Sequence, residues 1–289
     1  MATPAEWVAG ARPRTLPAAA APVLVGTGAA AQVDSFGWVA ALLALGVALA
    51  LQVGVNYAND YSDGVRGTDL DRVGPLRLTA SGLARPGQVK GAAFASFGVA
   101  GVLGVALCAV SGHWWLLAVG VLCVLAAWYY TGGKRPYGYS GLGEVGVFVF
   151  FGLVATLGTT YTQADRVTWP SVLGAVGVGL IACALLMVNN IRDIPTDVVA
   201  GKRTLAVRLG DHRARRMFAL WLVVAVLLGI ACAFWNPWAG LVTVLLLPTI
   251  LLVLPVLAGA HGRALVPVLA GTGMFELTYG VLLGIGLAL

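Results

Sequence analysis

The sequence predicts an all-α integral membrane protein: a compact bundle of about nine transmembrane helices, with two pseudo-repeated halves and cytoplasmic motif loops. Three observations predict it. Hydrophobic residues make up 59% of the 289 residues and charged residues only 10%, with a mean hydropathy of +0.89. A soluble domain of this length does not have that balance. Apolar stretches long enough to span a bilayer recur along the whole chain, so residues 1–289 read as one transmembrane domain. Finally, two acid-bearing stretches stand in matching places: Asn56 and Asn189 are 133 positions apart, and so are Asp60 and Asp193.

The spanning segments run approximately 16–33, 37–58, 91–111, 114–131, 141–163, 169–190, 216–235, 238–260 and 265–288. The first is only weakly apolar, carries Pro17 and Pro22, and follows Arg12 and Arg14. A cleaved leader is the competing reading, but the run has no Leu-rich centre and no clean cleavage pattern. Among the others, Gly and Ala are frequent, and the chain holds 39 Gly. Small residues let transmembrane helices approach closely, which implies a tight bundle. Cys108, Cys123, Cys183 and Cys232 all lie in apolar runs without metal-ligand spacing. They support neither a disulfide framework nor a zinc site.

Nine spans sort the charges. The N-terminus, the loops at 59–90 and 132–140, the loop at 191–215 with its flanking Arg216, and Arg263 between the last two spans hold 17 of the 18 Lys and Arg residues. Arg166 alone falls on the other side. By the positive-inside rule the basic side is cytoplasmic, with the N-terminus there and the cell membrane as the location. The net charge of +6 therefore reports topology rather than nucleic-acid binding. Asp60, Asp63, Asp69, Asp71, Asp193, Asp197 and Asp211 fall on the same face, beside the two longest loops. Long loops in a compact fold mark a working face.

Asn56, Asp60 and Asp63 are spaced i, i+4, i+7, so a helix carries them on one face. Asn189 or Asn190, Asp193 and Asp197 form the second set. Hard oxygen donors in pairs suit Mg²⁺, which binds one or two carboxylates and takes its other ligands from water and substrate phosphate. Arg66, Arg77, Lys134, Arg192, Lys202 and Arg203 are the candidates to meet the phosphate charge. A lipid tail would lie in the bundle while its diphosphate stays with the metal, and the cation left by ionisation needs water excluded. The plainer readings are interfacial solvation for each acid and interhelical hydrogen bonding for the asparagines. Two matched sets of intramembrane polar residues favour function. Glu144 and Glu276 lie in or near spans and are candidates for a polar cavity. Tyr137 and Tyr139 sit where aromatic belts are ordinary, with a substrate-facing role as the alternative.

NYANDYSDGVRGTD (56–69) and NNIRDIPTDVVAGKRTLAVRLG (189–210) resemble the two aspartate-rich motifs of the UbiA superfamily of membrane prenyltransferases. The resemblance covers essentially the whole chain. Trp7-Val8 followed by ARPRTLPAAAAPVLVG, and GPLRLTASG at 74–82, look most like its branch acting on 1,4-dihydroxy-2-naphthoate in menaquinone synthesis. What the resemblance implies is a polyprenyl diphosphate donor and two Mg²⁺ ions, with Mn²⁺ as a substitute. Asn56, Asp60 and Asp63 would hold one side, and Asn189 or Asn190, Asp193 and Asp197 the other. Asp60, Asp63, Asp193 and Asp197 would be the catalytic set. Lys134, Lys202, Arg203 and Arg77 would contact the diphosphate, with Arg66 and Arg192 nearby. Glu144, Tyr137 and Tyr139 would border the acceptor. Sister enzymes with other acceptors share these motifs, and a cation-coupled transporter with inverted repeats is the non-enzymatic alternative.

Overall fold

The computed structural model describes residues 2–67 and 76–289, and among these there are helices and turns but no strand. The chain opens with α1 (Pro4–Ala11), capped reciprocally. The Thr3 hydroxyl accepts from the Glu6 N–H, and the Glu6 carboxylate accepts from the Thr3 N–H at 2.6 Å. That backbone bond holds the Glu6 carboxyl below its ordinary pKa. Arg12, at φ 53°, ends the helix and a short turn leads into α2 (Leu16–Ala31). Next come α3 (Trp38–Arg66), α4 (Pro86–Ser111) and α5 (Leu116–Tyr129). A rod over Gly143–Ala164 consists of α6 (Gly143–Val147), a π-helical stretch Phe148–Val154, and α7 (Ala155–Ala164). The chain closes with α8 (Trp169–Val199), α9 (Leu205–Leu209), α10 (Asp211–Ala231), α11 (Leu246–Leu257) and α12 (Val266–Ala288).

α8 is the central post. α2, α10, α12 and the π-helical stretch all pack on it. Its Val178, Ile181 and Met187 meet Phe218 and Leu222 of α10 and Tyr279 and Leu283 of α12 in the larger core. A smaller core joins α1, α3 and α4 through Tyr57, Leu78, Val89 and Phe97. Lipid is as apolar as leucine, so close backbone approach rather than water exclusion holds such helices together. Gly280 of α12 lies on Ala21 of α2, and Gly28 lies on the Gly284 backbone, where an added Cβ would overlap main-chain atoms. Outward-facing apolar side chains such as Val102 (71% exposed) and Leu247 (64%) form the lipid-facing surface.

Seven rods among the described residues are long and apolar enough to cross a membrane, against the nine expected. The expected spans 16–33 and 114–131 are the shorter α2 and α5, of 16 and 14 residues. The halves also differ: 67% of the apolar stretch of α8 is buried, against 22% for α3. A second departure concerns the loops. The segments expected as loops at 59–90 and 191–215 begin as helix, because α3 runs on to Arg66 and α8 to Val199. A helix satisfies its own backbone, so it has no need to stop where the apolar run stops. At ~1.5 Å per residue, 29 residues reach ~43 Å, well beyond the ~30 Å hydrocarbon core. Asp60, Asp63, Asp193 and Asp197 therefore stand on rigid helix ends, not on loops.

Candidate active site

Asp63 is the centre of the site. It is 3% exposed, and side chains from three segments converge on it. The Tyr139 hydroxyl, from the turn at Tyr137–Ser140, donates to Asp63 Oδ1. Lys202 Nζ, from the join between α8 and α9, lies 3.8 Å from the same oxygen. An Arg77 guanidinium nitrogen lies 3.9 Å from Oδ2. Lys202 also sits 4.5 Å from the centroid of the Tyr139 ring, and Arg66 sits 5.5 Å from it. The backbone completes the join: Arg203 N–H donates to the Tyr139 carbonyl at 2.9 Å, and Lys202 N–H to the Asp197 carbonyl at 2.8 Å. Gly201, at φ 71°, makes the turn that brings Lys202 back. Thus the ends of α3 and α8 do meet, through Lys202.

Arg66 serves as an anchor. Its guanidinium donates to the Thr131 and Gly133 carbonyls, tying the end of α3 to the turn after α5. On α8, Arg192 forks onto Asp193 at 2.7 and 2.8 Å and reaches Asn189 Oδ1 at 2.8 Å. Asp193 is 5% exposed and Asp197 9%. Asn190 turns the other way, donating to Glu144 Oε1 at 3.1 Å. Tyr137 donates to the Ala126 carbonyl at 3.0 Å, and burial pushes its phenol up to about 12, so the hydroxyl stays protonated at neutral pH. Lys134 and Arg203 are exposed on the rim.

Two residues of the first set have other partners. The Asn56 amide donates to the Ala11 carbonyl and to Thr15 Oγ1, each at 2.9 Å, stitching α3 to the α1–α2 turn. The Asp60 carboxylate accepts the Leu78 and Thr79 backbone N–H groups. Asn59, one turn before Asp63 on the same face, accepts from Thr131 Oγ1 at 2.8 Å. It was not among the expected site residues, yet its i, i+4 relation to Asp63 was readable. Glu276 is fully buried in α12, with no hydrogen-bond partner for either oxygen. Asp69 and Asp71, expected on this face, lie outside the described residues.

Among the described residues no three Asp, Glu, His or Cys side chains gather closely enough to hold a metal by themselves. The donors fit a different arrangement. Asp63, Asn59, Asn189, Asp193 and Asp197 are hard oxygen donors, and Lys202 and Arg77 stand beside Asp63. Such a site suits a cation whose remaining ligands come from an anionic substrate.

The chain matches the model of the UbiA prenyltransferase family over residues 19–265. A Mycobacterium tuberculosis protein, 1,4-dihydroxy-2-naphthoate octaprenyltransferase, is 53% identical over 283 residues, spanning 97% of this chain and 96% of its own. The apo structure of a UbiA homolog from Aeropyrum pernix superposes with a TM-score of 0.72 at 17% identity, over 93% of this chain and 96% of that one. A UbiA homolog from Archaeoglobus fulgidus, bound to DMAPP and Mg²⁺, gives 0.71 at 13% identity over 98% and 99%. The helical bundle, the acid-bearing ends of α3 and α8, and these similarities agree: the chain belongs to the UbiA prenyltransferase family.

Proposed function

We propose that this protein transfers a polyprenyl group from a polyprenyl diphosphate to 1,4-dihydroxy-2-naphthoate, with loss of carbon dioxide, to give a demethylmenaquinol. The observation that carries the reading is the convergence of Lys202, Arg77 and Tyr139 on Asp63. It joins the two acid-bearing helix ends at one end of an apolar bundle. The relative at 53% identity, named a 1,4-dihydroxy-2-naphthoate octaprenyltransferase, supports the choice of acceptor and of a polyprenyl group.

Asp63 with Asn59, and Asp193 and Asp197 with Asn189, would hold two divalent cations, Mg²⁺ or in its place Mn²⁺. The Archaeoglobus homolog, bound to DMAPP and Mg²⁺, supports a divalent cation beside a prenyl diphosphate in this fold. When bound, the cations stabilise the departing diphosphate. Lys202 and Arg77 take its oxygens, with Lys134 and Arg203 at the rim. Asn56 and Asp60 hold the frame, and Arg66 and Arg192 fix the two helix ends. Tyr139, Tyr137 and Glu144 border the acceptor and keep water out. The prenyl C1–O bond breaks and the diphosphate leaves. C1 bonds the ring carbon bearing the carboxylate, and that carboxylate departs as carbon dioxide, restoring aromaticity. The two ring hydroxyls already make that carbon electron-rich, so positioning is the protein's main task.

The protein is multi-pass, and we place it in the cell membrane with its N-terminus and site cytoplasmic. The test uses purified protein in nanodiscs with Mg²⁺, a labelled polyprenyl diphosphate, and either 1,4-dihydroxy-2-naphthoate or 4-hydroxybenzoate. A decarboxylated naphthoquinol adduct, formed only with the naphthoate and lost with chelator, is expected. An adduct with 4-hydroxybenzoate alone would overturn the acceptor. No adduct at all from folded protein would overturn the reaction.

A further inference from the structure

Asp60 stands one turn before Asp63 on α3, yet its surroundings differ. Its side chain is wholly buried, at 0% exposure. Oδ2 accepts the Leu78 N–H at 2.8 Å and Oδ1 accepts the Thr79 N–H at 2.9 Å. One carboxylate thus binds two successive amides of a segment 18 and 19 residues away, and charge makes both bonds strong.

The segment is fitted to that grip. Leu78 is 0% exposed and belongs to the core with Tyr57 and Val89. A Cβ at Gly10 of α1 would come within 2.7 Å of Leu78 Cδ1. Thr79 lies over Gly64 of α3, where a Cβ would meet the Thr79 side chain at 2.5 Å. The segment then closes on itself, Ser81 N–H bonding the Arg77 carbonyl at 3.0 Å and Ala84 N–H the Leu78 carbonyl at 3.1 Å. Arg77 comes immediately before the two clamped amides, and its guanidinium faces Asp63 at 3.9 Å. Each Asp60 oxygen is thus already engaged by a backbone N–H.

We propose that Asp60 is a positioning residue: its carboxylate clamps the turn at 77–79 onto α3 and so sets Arg77 beside Asp63 to receive the donor diphosphate. The proposal rests on the prenyl-transfer reading for what Arg77 receives; the clamp itself does not depend on it.

The test compares wild-type, Asp60→Asn, Arg77→Ala and the double variant in nanodiscs. Inorganic diphosphate with Mg²⁺ is the binding probe, and hydrogen exchange is followed over the 76–84 peptide. An amide accepts only one of the two N–H groups and sets its own NH₂ against the other. Asp60→Asn should lose exchange protection in that peptide and weaken diphosphate binding about ten-fold. Arg77→Ala should weaken binding as much, and the double variant no further, because both act through one group. The Mg²⁺ concentration for half-maximal binding should stay at the wild-type value. A shift of ten-fold or more in that concentration, additive losses, or unchanged protection would overturn the clamp. Thr79→Pro deletes one donor while leaving the carboxylate whole, and decides the matter should Asp60→Asn not fold. The clamp requires the same loss of diphosphate affinity from it, and wild-type affinity would overturn it. Wild-type protein that binds diphosphate but transfers no prenyl group would defeat the functional reading and leave the clamp standing.

Discussion

Lys202 is only 7% exposed, and its neighbours offset the cost of burying its polar head. Asp63 supplies an opposite charge at 3.8 Å, and the Tyr139 ring offers a π face at 4.5 Å. Its compact ammonium can turn between Asp63 and a phosphate oxygen without moving its stem, which a planar guanidinium cannot do. Lys202→Met keeps the bulk and removes the charge. It should lower turnover about 100-fold, the scale of losing one preorganised electrostatic contact to a developing anion. Lys202→Arg should recover only part of that loss. Steady-state kinetics with varied donor check both; near-wild-type rates for Lys202→Met would remove it from the site. Spacing made Asp63, Asp193 and Asp197 legible as a pair of acidic helix ends, and charge made Lys202 and Arg77 legible as neighbours. The division of labour along α3 was not legible. Asn56, Asn59, Asp60 and Asp63 are all polar residues of one helix, and only the packed partners separate them: the α1–α2 turn, Thr131, the 77–79 amides and Tyr139.

Helices were legible as apolar stretches, their ends were not. Hydropathy stops at the lipid boundary, whereas the backbone ladder of α3 and α8 continues to Arg66 and Val199. The pairing of helices was also beyond a single chain's pattern, because glycine-rich stretches say that something comes close without saying what. The structure answers for α2 and α12, where Gly28 meets Gly284 and Ala21 meets Gly280. Gly284→Leu must push those helices apart and should cost about 1–3 kcal/mol, the range for overpacking a close contact. Gly98→Leu on α4 is the control, since a Cβ there meets nothing within 4 Å. Thermal unfolding in detergent checks the pair. Equal midpoints would mean that α2 and α12 do not depend on close approach.

Across the whole molecule, contacts between turns sort the helix ends into two layers. One layer is the site: Arg66 at the end of α3 reaches the turn at 131–133, and Tyr139 reaches Asp63. The other layer joins the turn before α5 to the end of α7, with His113 3.3 Å from Asp165 and its ring tilted against that of Tyr161 at 4.7 Å. Gln163 of α7 also bonds Thr27 near the end of α2 and accepts from Gly37 N–H before α3. α5 therefore runs from one layer to the other, and α2 leaves the site side at Thr15, where Gln52 and Asn56 hold it, and ends in the opposite layer. Although short, α2 and α5 each reach from one layer to the other, and we propose that they cross the membrane alongside the seven longer rods. The charge pattern of the sequence motivates that proposal, since nine crossings would put 17 of 18 basic residues on one side. Three single cysteines test this directly in sealed right-side-out vesicles: Trp114→Cys before α5, Arg135→Cys after it, and Arg166→Cys after α7. The native cysteines are buried, or half-buried in the case of Cys123, so they contribute little background. An impermeant maleimide added outside should label positions 114 and 166 and leave 135 untouched until the membrane is opened. Labelling of 135 alone would invert the proposed orientation. Labelling of 114 and 135 together would mean that α5 turns back within the bilayer, and the nine-crossing topology would fall with it.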